Sequence, residues 1–506
     1  MGGLSWAGVR LGRDLTFDTT DVFATTIAAA GIILDFVGAC VAYSEEAKSL
    51  RVRFEWDLRA LKAVRDYFEQ RKAQNANQEL STDDAMLLEQ TADYLDSIAS
   101  KAQRSLRKLK RKGFLSGIVN RGMWIARQAD LKEMEAEVYA WTRRFDVRVL
   151  GLPQELNSVI PVGVDTSPGV VRSNKKLQDF LNLPLSRKTE QARSKRLENS
   201  KQLADRIMHR GGACFFPIQE GNKQLICASR RVPLEATPGS PSFLKLEHEL
   251  GVLSAALGCI DSDADIRLLS VDSYFYHEDT NQFLFTHVLP YPIFAPMTLV
   301  DVIHRDTFSG PYANLNERFA LAQDLAEAVL FLHTAGFVHK NITSSSVVAL
   351  QRSRPDSSHL PDCYLMGFNL VRGVDGRTYQ EGAVRDSGDE ERPIWEFDIF
   401  QHPDRLLGKN SLRYTKTHDV YSLGVLLLKI GAWKRLLDVV LGLNDDDPSS
   451  WKDELLEAAS TLGPTTGTKY QQLVDWCLRL DGNEVVTEDM FVKNVLDPLE
   501  EIVNAL

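Results

Sequence analysis

Residues 319–350 read FALAQDLAEAVLFLHTAGFVHKNITSSSVVAL, a helical run that passes into a polar loop. The pattern on either side gives this stretch its context. Upstream, CFFPIQ, QLICASRRV, IRLLSVDSYFY and FLFTHVLPY are short β-rich runs separated by turn residues such as Glu220-Gly221-Asn222. A helical stretch around Phe243–Leu257 interrupts them, and after Pro296 the chain is mostly helical. A small β-rich part ahead of a larger helical part predicts an α+β region over about residues 211–506.

Three further segments follow in order: YLMGFNLVR (364–372), QHPDR (401–405) and HDVYSLGVLLLKIG (418–431). With residues 319–350 they resemble the protein kinases. The long stretch is similar to the kinase helix and catalytic loop. YLMGFNLVR stands where Asp-Phe-Gly belongs, and QHPDR where Ala-Pro-Glu closes the activation segment. HDVYSLGVLLLKIG resembles the core helix, whose opening Asp, here Asp419, pins the catalytic loop. The resemblance implies a bilobal kinase-like fold, with a small lobe over about 211–295 and a large lobe over about 296–506.

Phosphoryl transfer needs an Asp to accept the hydroxyl proton, an Asn and an Asp to hold magnesium, and a Lys on the phosphates. Here His339-Lys340-Asn341 replaces His-Arg-Asp, and an amide is not a base. Ser346 stands at the metal-binding Asn, and Gly367-Phe368-Asn369 replaces Asp-Phe-Gly. Ala228-Ser229-Arg230 ends the third strand, where Arg230 offers a phosphate contact with a fork unlike Lys. Glu247 and Glu249 are candidates for the helix glutamate. His304-Arg305-Asp306 spells the catalytic triplet literally but lacks its context. The expectation is a pseudokinase with no catalytic residue and no metal, and with ATP as a ligand not efficiently turned over. The alternative is a divergent serine/threonine kinase using Asp306 or Asp362.

The first 150 residues show helix periods and no strand alternation. Leu50, Phe54, Leu58, Leu61, Val64 and Phe68 form one stripe, with Glu45 and Glu46 in the first turn. Ser81 and Asp84 form a capping pair ahead of Ala85, Leu88, Ala92, Leu95, Ala99, Ala102, Leu106 and Leu109. Leu131, Met134, Val138, Trp141 and Phe145 make a further stripe. An all-α antiparallel bundle is expected. Over residues 15–150, GIILDFVGACVAY, DDAMLLEQTADYLDSIASKAQR and GMWIARQADLKEMEAEVYAWTRRF resemble the HeLo or HeLo-like domain of fungal incompatibility and cell-death proteins. That resemblance implies a bundle whose first helix is released to damage the plasma membrane. The whole architecture is similar to that of the mixed-lineage kinase-domain-like executioner of necroptosis.

Residues 22–43 are the most hydrophobic stretch, but Asp35 interrupts it. A carboxylate at mid-membrane costs at least roughly 3 kcal/mol, which argues against a constitutive span. A bundle helix is expected, or one that leaves the core on activation. Asp14, Asp18 and Asp21 do not suit a signal peptide, and Trp6 does not suit myristoylation. Residues 151–210 read as a linker followed by basic brace helices.

Composition sets the remaining bounds. The 506 residues are 44% hydrophobic and 25% charged, which excludes collagen-like and wholly disordered chains. Six dispersed cysteines fit a reducing compartment. Residues 1–210 hold 34 Lys+Arg against 27 Asp+Glu, and residues 211–506 hold 25 against 42. The basic part includes Lys101, Arg104, Arg107, Lys108, Lys110, Arg111 and Lys112 at one helix end, either a solvated face or a patch for anionic lipid. Nothing supports nucleic acid. The two resemblances together imply a cytoplasmic cell-death effector that acts on the plasma membrane, oligomerises on activation and answers to an upstream protein. A signalling scaffold that never meets lipid is the other non-enzyme reading.

Overall fold

The computed structural model describes residues 20–41, 44–75, 79–111, 127–163, 167–197, 201–208, 218–220, 223–233, 236–261, 263–308, 313–352, 359–366, 372–373, 398–406, 413–440 and 450–505. The chain divides into two compact units, Met1–Pro168 and Gly169–Leu506. The first is helix-rich; the second is α+β with small antiparallel sheets.

Among the described residues, four long helices build the first unit: α1 (Thr20–Cys40), α2 (Glu45–Gln74), α3 (Thr82–Arg111) and α4 (Gln128–Leu150). Ala29, Ala30, Ile33, Phe36, Val37 and Cys40 of α1 are buried, while Asp35 faces solvent. Among the described residues no helix is long and apolar enough to cross a membrane. Ser44 caps α2 by accepting from the Ala47 N–H, and Ser81 caps α3 by accepting from the Asp84 N–H. Every stripe residue of α2 and α4 is buried, and Leu88 and Leu95 of α3 join them. The aromatic centre comes from α2 and α4: the Trp141 and Phe145 rings stack at 5.5 Å, with Phe54 edge-on to Trp141 at 4.8 Å. Not every buried group is apolar, since Asp57, Asp146 and Arg148 are also enclosed.

The two units divide at 168/169, within the segment read as linker and brace. Trp56 Nε1 donates to the Pro161 carbonyl at 2.8 Å, and Leu152, Leu156 and Ile160 are buried in the first unit. The brace helices α5 (Gly169–Leu181) and α6 (Leu185–Ser194) belong to the second. Asn174 of α5 donates to the Phe331 carbonyl at 2.9 Å. Beyond α6 the chain becomes an extra sheet edge: Tyr274 N–H donates to Lys195 O and Leu197 N–H to Tyr274 O, each at 2.9 Å.

That edge belongs to an antiparallel sheet of order β1-β2-β4-β3, from β1 (Ile218–Glu220), β2 (Lys223–Arg231), β3 (Val271–His277) and β4 (Gln282–Val288). Helix α7 (Pro241–Leu257) lies between β2 and β3 in the chain. The later segment carries α8 (Leu315–Thr334) and α9 (Lys416–Ala432), both largely buried, and α10 (Thr468–Arg479). Helices α9 and α10 meet closely at Gly424, where an added Cβ would stand 2.6 Å from the Cys477 Cβ. Gly424→Ala is therefore expected to cost about 1–3 kcal/mol by overpacking. Calorimetry checks this as a lowered Tm of the second unit's transition.

Candidate functional site

The loop His339–Ser346 is placed by the elements around it. An Asn314/Glu317 capping box starts α8, and Gly336 ends the turn after it at φ +85°, a conformation that favours glycine. Asp419, in the first turn of α9, is fully buried and receives four donors: His339 N–H at 2.6 Å, Lys340 N–H at 2.8 Å, His333 Nε2 at 3.0 Å and Tyr414 O–H at 2.8 Å. Burial pushes its carboxyl up, but the hydrogen bonds and nearby histidines outweigh this and hold it below the usual range. Lys340 turns the loop at φ +65°. Burial pulls His339 down to about 4, so its ring is neutral.

The loop is closed by its own hydroxyls. Ser346 Oγ accepts from Thr343 N–H at 3.0 Å and donates to the Thr343 carbonyl at 2.8 Å. Ser346 N–H donates to Thr343 Oγ1 at 3.2 Å, and Lys429 of α9 donates to Ser344 Oγ at 2.7 Å. Asn341 is half-buried, with its N–H 3.3 Å from His339 Nδ1. The structure thus brings His339, Lys340, Asn341, Ser346 and Asp419 together. Gly367, Phe368 and Asn369 lie outside the described residues.

No protein-family model and no curated protein matches the chain. It is similar to a solved structure titled "Titin kinase and its flanking domains", at 12% identity and a TM-score of 0.36, over 56% of this chain and 43% of that one. The chain therefore spans less than half of that structure's length.

The other candidates have structural partners. Arg230 is half-buried on β2 opposite Phe283 of β4. Glu247 pairs with Arg196 at 3.1 Å, and Glu249 with Lys245 at 4.0 Å. Asp306 accepts from Ala313 N–H and Trp433 Nε1, so the literal triplet is a packing acceptor. Asp362 accepts from Tyr291 O–H and Arg352, and pairs with Arg267. On α3, Arg104, Arg107 and Arg111 are exposed, whereas Lys108 pairs with Glu137 at 2.6 Å. Lys101 and Lys110 lie on the same helix, and Lys112 is outside the described residues.

One group was not singled out from the sequence: His402, Asp404 and His418, whose donor atoms lie within 4.8 Å of one another. Metal ligation is the first reading of such a set, but the hydrogen bonds oppose it. His418 Nδ1 accepts from Thr415 N–H at 3.0 Å, so its proton is on Nε2, which points at Asp404 Oδ1 at 3.1 Å. His402 donates through Nε2 to the Leu480 carbonyl. Burial raises Asp404, yet the two imidazoles hold it well below the usual carboxylate range. The set is a clasp that ties residues 402–404 to α9. Both histidines stood in quoted motifs, but neither spacing announced their meeting.

Asp419→Ala strands two loop N–H groups and is expected to cost about 3–5 kcal/mol in urea unfolding. Because the Asp419 carboxyl is depressed in the folded state, its contribution is complete above the ordinary carboxylate range and lost as pH falls through its folded value. Asp419→Asn should show a smaller acid-side loss than the wild type.

Proposed function

We propose that the second unit is a pseudokinase, a kinase-type framework used for regulation or partner sensing. The observation that carries this reading is a loop held in place by Asp419 while an amide, Asn341, occupies its acid position. An Asn does not accept the hydroxyl proton, and Ser346 is engaged in closing the loop. The divergent-kinase alternative is weakened because Asp306 and Asp362 are both committed to structural donors. Arg230 is the candidate phosphate contact, so ATP is proposed as a ligand without efficient magnesium-dependent transfer. ATP then raises the melting temperature of the full chain by mass action, with little added by magnesium. Magnesium-dependent peptide phosphorylation at ordinary kinase rates would overturn the pseudokinase reading.

For the first unit we propose action on anionic membrane lipid, as part of a cytoplasmic cell-death effector released by an upstream protein and oligomeric once active. The support is the basic end of α3, where Arg104, Arg107 and Arg111 are exposed, together with the resemblance of residues 15–150. Each basic residue near such a surface contributes on the order of 1 kcal/mol. The combined Arg104→Ala, Arg107→Ala, Arg111→Ala variant should therefore bind phosphatidylserine vesicles on the order of a hundredfold more weakly than the wild-type chain. Vesicle co-sedimentation and dye release test this at low salt. Equal binding by both chains removes the patch, and no binding by either removes the membrane role in favour of a lipid-independent scaffold.

A further inference from the structure

The first unit encloses an acid pair that the proposed function does not use. Asp57 on α2 and Asp146 on α4 are both 0% exposed. Arg53, one turn before Asp57, sets its Nη2 2.7 Å from Asp146 Oδ2. That interaction balances one negative charge. With both acids ionised, neither oxygen of Asp57 nor Oδ1 of Asp146 has a hydrogen-bond donor. A buried carboxylate left in this way is strongly unfavourable.

A proton on Asp57 resolves both deficits. The Asp57 carboxyl then donates to Asp146, and one negative charge faces one cation. Burial first, then the charge of Asp146, pushes Asp57 well above the usual carboxylate range, with Arg53 opposing. Burial likewise pushes Asp146 up to about 6 in spite of Arg53.

Other titratable groups lie on the same helices and on their neighbours. The Tyr139 ring of α4 lies 5.1 Å from the Arg53 guanidinium, and Arg148 of α4 donates to the Tyr94 carbonyl of α3. Glu135 of α4 accepts from Ser44, and burial pushes the Cys40 thiol of α1 up to about 12.

We infer that Asp57 and Asp146 form a proton-held latch between α2 and α4, closed while they share a proton and loosened when it leaves. The pair keeps in the folded unit a proton that an unfolded chain releases above about pH 4. The latch therefore supports folding most at acid pH and progressively less as pH rises through the pair's raised folded range. A bundle built this way opens more readily in alkaline than in acid surroundings, whatever surface or partner it then meets.

Hydrogen exchange of the full chain, read on peptides from 45–74 and 128–150 and corrected for intrinsic rates, tests the latch. Between about pH 5 and about pH 8 the opening constant of these helices should rise about tenfold per pH unit for each extra proton held by the folded form. Asp57→Asn supplies a permanent amide donor to Asp146. It should flatten this dependence and leave α2 and α4 better protected than wild type at the alkaline end. Asp146→Asn leaves one carboxylate for Arg53 and should flatten it too, which decides the matter if Asp57→Asn does not fold. A flat wild-type profile, or a wild-type slope retained in the variants that fold, overturns the latch.

Discussion

A fully buried carboxylate is tolerated only where donors replace its water, and Asp419 has four. They come from three directions: His333 at the end of α8, the backbone of His339 and Lys340, and Tyr414 ahead of α9. Hydrogen bonds to a charged group each contribute about 1.5–3 kcal/mol, so four of them offset a burial penalty of several kcal/mol. One side chain thereby sets the register between α8, the loop and α9.

The acid pair of the first unit meets the same constraint with fewer means. Asp146 has one cation, Arg53, and Asp57 has none to itself. Where donors are plentiful, the carboxyl is held ionised, as at Asp419 and at Asp404 between two imidazoles. Where they are scarce, a proton fills the gap and the group is held neutral. The number of donors within reach, rather than burial alone, decides which way each acid moves.

Helix positions and their buried faces were legible in the sequence because both are local. The α2 stripe from Leu50 to Phe68, the α4 stripe from Leu131 to Phe145, and the Ser81 cap depend on residues a few places apart, and each stands where its spacing put it. The order of β-rich runs, followed by helix, loop and buried α9, was legible for the same reason. What was missed is non-local. Asp57, Asp146 and Arg148 are charged residues on amphipathic helices, which in sequence look solvated. Their burial is decided by the facing helix. The strand-like edge at Lys195–Leu197 has no alternation of its own and exists because Tyr274 offers it a backbone. Tyr414 is likewise invisible until α9 brings Asp419 beneath it.

Within the loop, main chain and side chains carry separate tasks. Asp419 grips main-chain N–H groups, which every residue but proline supplies, so the grip on position 340 is indifferent to Lys or Arg. The side chain at 341 is not part of that grip, and Asn there costs the loop nothing that Asp419 provides. At 346, Ser gains a role by bonding to Thr343 on both sides, which holds the turn by local means. The groups that keep the loop in place and the side chain at 341 are thus separate, and only the first are under the physical constraint of a buried charge.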